Sequence, residues 1–66
     1  MSSVIIKKRK HSLDFFENGR WIYDLGLGQI KLHGIDFWLK HLSDKTWFSD
    51  DVKSQFLSCL QSVGIK

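Results

Sequence analysis

Apolar and polar positions alternate with a period of two near the start of the chain and with a helical period towards its end. Val4 to Lys8 reads as a first strand, β-branched and then charged. Leu13 to Asp24 holds two aromatic-rich runs around a single Asn18-Gly19 pair. A two-residue type I′ loop needs φ > 0 at both central positions, and Asn-Gly supplies it, so this stretch predicts a β-hairpin. With those two residues as the loop, Glu17 faces Arg20, Phe16 faces Trp21, Phe15 faces Ile22 and Asp14 faces Tyr23. Strand alternation then puts Asp14, Phe16, Trp21 and Tyr23 on one face. Leu13, Phe15, Glu17, Arg20, Ile22 and Asp24 fall on the other. Both faces carry apolar groups, which a sheet with one solvated face usually avoids.

Leu25 to Leu32 contains two glycines spaced by one residue. The full GxGxxG pattern is absent and Lys31 does not stand in a Walker arrangement, so no phosphate loop is expected. The pattern predicts a bend or bulge and then a short fourth strand around Gln29 to Leu32. Beyond Gly34, the residues Ile35, Trp38, Leu39 and Leu42 follow i, i+3, i+4, i+7, one face of a helix over about 34–42. Ser43 to Thr46 are turn formers. Ser49 suits an N-cap, and Asp50 and Asp51 place negative charge where the helix dipole favours it. Val52, Phe56, Leu57, Leu60 and Val63 then stripe a second helix over about 50–63, with Gly64 suited to the position just past its end. The expectation is a single α+β domain over 1–66. It consists of an antiparallel meander of three or four strands across about 4–32, followed by two C-terminal helices packed on one sheet face.

Length sharpens this picture. A chain of 66 residues buries only about 60% of its unfolded surface, so its core is marginal. Nine of its residues are Phe, Trp or Tyr, each able to bury roughly 150–250 Å². A two-layer domain has one interior, and these rings point to several sides, so some are expected to meet another molecule. There is one cysteine, Cys59, which excludes an intrachain disulfide and reads as a small helical hydrophobe. The N-terminal apolar triplet precedes its charges, the reverse of a secretory signal. No apolar run approaches the roughly 20 residues of a spanning helix. A cytoplasmic protein with no membrane partner is expected.

Charge is unevenly placed. Residues 1–33 carry Lys7, Lys8, Arg9, Lys10, Arg20 and Lys31 against Asp14, Glu17 and Asp24, while the four lysines and four aspartates of 34–66 balance. The whole net charge of +3 therefore sits in the sheet half. Catalysis has no legible support. His11, His33 and His41 are scattered at spacings that match no usual metal pair. Asp50 and Asp51 are adjacent on a helix and diverge around its axis. No nucleophile, base and orienter can be assembled, and so short a chain has little material to enclose a ligand. No enzyme, metal, cofactor or small-molecule ligand is expected.

Binding remains. Trp, Tyr, Phe and Arg are enriched at interface hot spots, so the first expectation is a small protein-binding module, a regulator or inhibitor. Its contact residues would be Phe16, Arg20, Trp21 and Tyr23, and its partner a protein or a second copy of itself. The alternative is a nucleic-acid binder, with Lys7, Lys8, Arg9, Lys10, Arg20 and Lys31 neutralising phosphate and the hairpin aromatics stacking on bases. The acidic groups Asp14, Glu17 and Asp24 of the same hairpin oppose that alternative.

Overall fold

Asn18 and Gly19 both adopt positive φ, 53° and 82°, the backbone that a type I′ hairpin loop requires. The computed structural model describes residues 3–65; Met1, Ser2 and Lys66, which the expected domain includes, lie outside the described residues. Among the described residues, three antiparallel strands form one sheet in the order β1-β2-β3. They are β1 (Val4–Lys8), β2 (Ser12–Glu17) and β3 (Arg20–Gly26). Three helices follow, α1 (Leu27–His33), α2 (Ile35–Leu42) and α3 (Asp50–Ser62). The architecture is the expected α+β meander with helices after it. The hairpin loop also extends the first ladder: the Asn18 N–H donates to the Ser3 carbonyl at 3.0 Å, and the Ser3 N–H donates to Asn18 Oδ1 at 3.3 Å.

Two sequence expectations need correction. The first concerns register. Glu17 pairs with Arg20 and Phe16 with Trp21, as the loop dictates, but Phe15 then pairs with Tyr23 and Asp14 with Asp24. Ile22 is the extra residue of a β-bulge, two residues of β3 standing against one of β2. One inserted residue reverses the facing of every side chain beyond it. Tyr23 and Leu25 therefore turn to the face of Phe15 and Leu13, and Asp24 turns outward.

The second correction concerns the fourth strand. Residues 27–33 form helix α1, and the sheet ends at Gly26. A short stretch such as Gln29 to Leu32 is compatible with either period, and a seven-residue helix is too short to be stable alone. Tertiary packing decides it: Ile30 is fully buried in the core. At the end of α1, Gly34 takes φ 88° and donates its N–H to the Ile30 carbonyl at 2.8 Å. This break separates α1 from α2.

Helix α3 has both expected signals. The Ser49 hydroxyl accepts the Val52 N–H at 3.4 Å, an N-cap. At the other end the Ile65 N–H bonds the Leu60 carbonyl at 2.9 Å and the Gly64 N–H bonds Gln61 at 3.1 Å. This is the Schellman pattern, with Gly64 at φ 79° and the buried Ile65 folded back on the core. The helix lies along β1, and its Gln55 side chain behaves as a peptide group. Its Nε2 donates to the Val4 carbonyl at 2.8 Å, and its Oε1 accepts the Ile6 N–H at 3.0 Å. The free edge of β1 is thus closed by a side chain, one of the ways a sheet avoids presenting an open edge.

The core lies between one sheet face and the helices. It holds Val4, Ile6, Leu13, Phe15 and Leu25 from the sheet and Ile30, Leu42, Val52, Phe56 and Leu60 from the helices. Phe15 is its centre, with ring centroids 5.6 Å from Tyr23, 5.3 Å from Trp47 and 6.5 Å from Phe56. Trp47 comes from the connection between α2 and α3, so that loop serves as a lid on the core. Among the described residues, no helix is long and apolar enough to cross a membrane.

Candidate binding surface

The helices cover the Leu13/Phe15 face and leave the other sheet face open. Across that outer face the register aligns Ile5, Phe16 and Trp21 in one row over the three strands. Ile5 is 54% exposed and Trp21 is 55% exposed, while Phe16 between them is half-buried. The Lys7 ammonium stands 5.0 Å from the Phe16 ring centroid, a position in which a cation is attracted to the ring face. The next row is charged: Lys7 on β1, Asp14 on β2 and Asp24 on β3. Arg9 Nε binds Asp14 Oδ2 at 3.0 Å, and the Ser12 hydroxyl approaches Asp14 Oδ1 at 3.3 Å. Asp14 and Asp24 stand directly opposite one another, a like-charge pairing that destabilises a ladder.

Of the four expected contact residues, the fold brings Phe16 and Trp21 together on this face. Arg20 is exposed at the β2–β3 turn, in the row of Val4 and Glu17, and so belongs by alternation to the other side. Tyr23 is not part of the surface. The bulge puts it against Phe15, with Trp47 at 5.8 Å and the Lys45 ammonium 5.4 Å over its ring. Burial, and secondarily the charge of Asp24, pushes the Tyr23 hydroxyl above its ordinary pKa. Sequence reasoning missed Ile5. The signal was present: with Val4 and Ile6 inward, strand alternation sends Ile5 outward.

The basic residues are dispersed. Lys7 belongs to the outer face, and Arg9 and Lys10 lie at the exposed β1–β2 turn. Arg20 lies at the opposite end of the sheet, beyond the six residues of β2, or about 20 Å at the usual rise of a strand. Lys31 is exposed on the last turn of α1. Lys8 lies near the C-terminal part of α3, where its charge lowers the pKa of Cys59; burial outweighs it, and the thiol is raised.

A second exposed aromatic group lies on α1 and α2. The Phe37 ring stacks between His33, at 4.5 Å, and His41, at 6.2 Å. Phe37 is 46% exposed and Leu32 is 72% exposed. Trp38 meets these rings edge-on and donates its Nε1–H to the Gln29 carbonyl at 2.9 Å. That bond ties α2 to α1 across the break at Gly34. Phe37 separates the two imidazoles. Among the described residues, no group of three or more His, Cys, Asp or Glu could hold a metal ion. No family model, no curated protein and no solved structure matches the chain.

Proposed function

We propose that the chain is a non-catalytic protein-binding module, a small regulator or inhibitor, that docks a protein partner on the outer face of its sheet. The observation that carries this reading is the row Ile5, Phe16, Trp21, two of whose side chains remain more than half exposed in a chain with few residues to spare for a core. A solvent-exposed Trp beside a half-buried Phe is the anchor type that interfaces favour. Charges of both signs, Lys7, Arg9, Asp14 and Asp24, surround the row, which suits a protein surface of mixed charge. The apolar row is the anchor and the charged row selects what approaches it.

The competing reading is a nucleic-acid binder. The exposed Arg9 and Lys10 at the β1–β2 turn favour it. Against it stand Asp14 and Asp24, which put two carboxylates beside the aromatic row where phosphate would have to approach. The test is capture of proteins from the native host lysate on the immobilised chain, comparing the original sequence with Trp21→Ser and Ile5→Ser. Protein capture that both substitutions remove, with unchanged melting temperature, supports the reading. Capture that survives both substitutions overturns it. So does recovery of nucleic acid alone, with affinity falling steeply as salt rises.

A further inference from the structure

Resting on the reading of the outer sheet face as a protein-docking surface, we propose that its occupant is a second copy of this chain, packed face to face about a two-fold axis that runs along β2. The outer face carries unsatisfied charge in a pattern that complements itself. Asp24 has no ion-pair partner among the described residues, and it stands directly opposite Asp14. Lys7 lies at the other end of the same row, with its ammonium over the Phe16 ring and no carboxylate ion pair among the described residues. The chain thus holds a positive group on one edge strand and an uncompensated negative group on the other.

A two-fold axis along β2 superposes β1 of one copy on β3 of the other and keeps each row in place. Lys7 of each copy then faces Asp24 of its partner, twice by symmetry, as an isologous interface requires. Ile5 faces Trp21 of the second copy, and Phe16, uncovered as the Lys7 ammonium swings from its ring to the partner's Asp24, faces its own counterpart on the axis. Asp14 also meets its counterpart on the axis, and there each carboxylate is already bound by its own Arg9 at 3.0 Å. Aligned face-to-face packing of this kind is an ordinary way for two sheets to associate. The same charges that discourage phosphate close this dimer, because each copy brings the missing lysine to the other's paired aspartates.

The patch is small. Three strands at a spacing of about 4.8 Å and four or so residues along each cover a face roughly 14 Å across. That is well under the size of a standard stable interface, so the dimer is weak and concentration-dependent.

Sedimentation equilibrium of the full chain, from about 10 μM to about 1 mM, tests this. The expected result is reversible dimerisation within that range. Lys7→Asp alone and Asp24→Lys alone each place like charges across the axis twice, and each weakens the dimer by about tenfold or more. A one-to-one mixture of the two variants restores both contacts and recovers dimer as a heterodimer. Both positions are exposed, and a circular dichroism melt of each variant confirms that it folds. A chain that stays monomeric at the highest concentration overturns the proposal, as does a mixture no tighter than its separate components. If the chain is monomeric yet still captures another protein in a Trp21-dependent way, the docking face stands and the second copy as its occupant falls. Loss of both results removes the docking reading as well.

Discussion

Gln55 accepts the backbone N–H of Ile6 at 3.0 Å, across 49 residues of chain. With its Nε2 also donating to the Val4 carbonyl and to Asp51 Oδ2, one carboxamide joins α3 to the free edge of β1. This fixes where the helix sits along the strand, and so holds Val52 and Phe56 over the sheet.

Replacement of Gln55 therefore costs more than a surface position would. Gln55→Ala leaves two part-buried backbone groups without partners, at a cost of about 1–3 kcal/mol. Gln55→Glu retains the acceptor for Ile6 but sets a carboxylate against the Val4 carbonyl and Asp51, and is destabilising near neutral pH. Urea denaturation of the two variants checks this. The Ala variant is also expected to aggregate more readily, because it reopens an edge strand.

Deletion of Ile22 tests the bulge. Without the extra residue β3 takes the regular register, and Tyr23 and Leu25 turn away from the core. The expected outcome is loss of cooperative unfolding, measured by near-ultraviolet circular dichroism. Ile22→Ala keeps the residue count and therefore the register. It loses only part of one half-buried side chain, about 1–2 kcal/mol.

Alkaline pH should destabilise the fold in a way that Tyr23→Phe reduces. Burial raises the pKa of both Tyr23 and Cys59 in the folded state. In each case the unfolded chain gives up its proton first, so the contribution to stability is intact below the unfolded-state pKa. It is lost as pH rises through the folded-state pKa. Denaturant midpoints measured from neutral pH to above the ordinary tyrosine range check the slope, which is shallower in Tyr23→Phe. For the thiol, Lys8→Gln removes the charge that lowers the Cys59 pKa, and alkylation at mildly alkaline pH is expected to slow.

Local chemistry made much of this molecule legible. Asn18-Gly19 demands one loop type, and the pairs next to the loop, Glu17 with Arg20 and Phe16 with Trp21, follow from it. Ser49 with two aspartates marks the start of α3, and Gly64 marks its end, because each signal acts within a turn or two of where it stands. Two of the three residues of the outer row, Phe16 and Trp21, were also within reach of alternation. Ile5 could have been added by the same rule.

The remainder depended on the other layer. Nothing in Trp21-Ile22-Tyr23 announces a bulge, since each of the three residues suits a strand, and alternation continued past it gives Tyr23 the wrong side. The bulge is retained because it lets Tyr23 and Leu25 join Phe15 and Leu13 under the helices and Trp47. Residues 27–33 are short enough to satisfy either period, and the burial of Ile30 makes them a helix. The sequence by itself determined the three strands, the hairpin loop, helix α2 and the ends of α3, which are local preferences of backbone and side chain. Tertiary packing alone decided the register beyond Phe15 and the identity of α1, and with them which aromatic rings are left in the open, because those depend on which apolar groups find partners across the core.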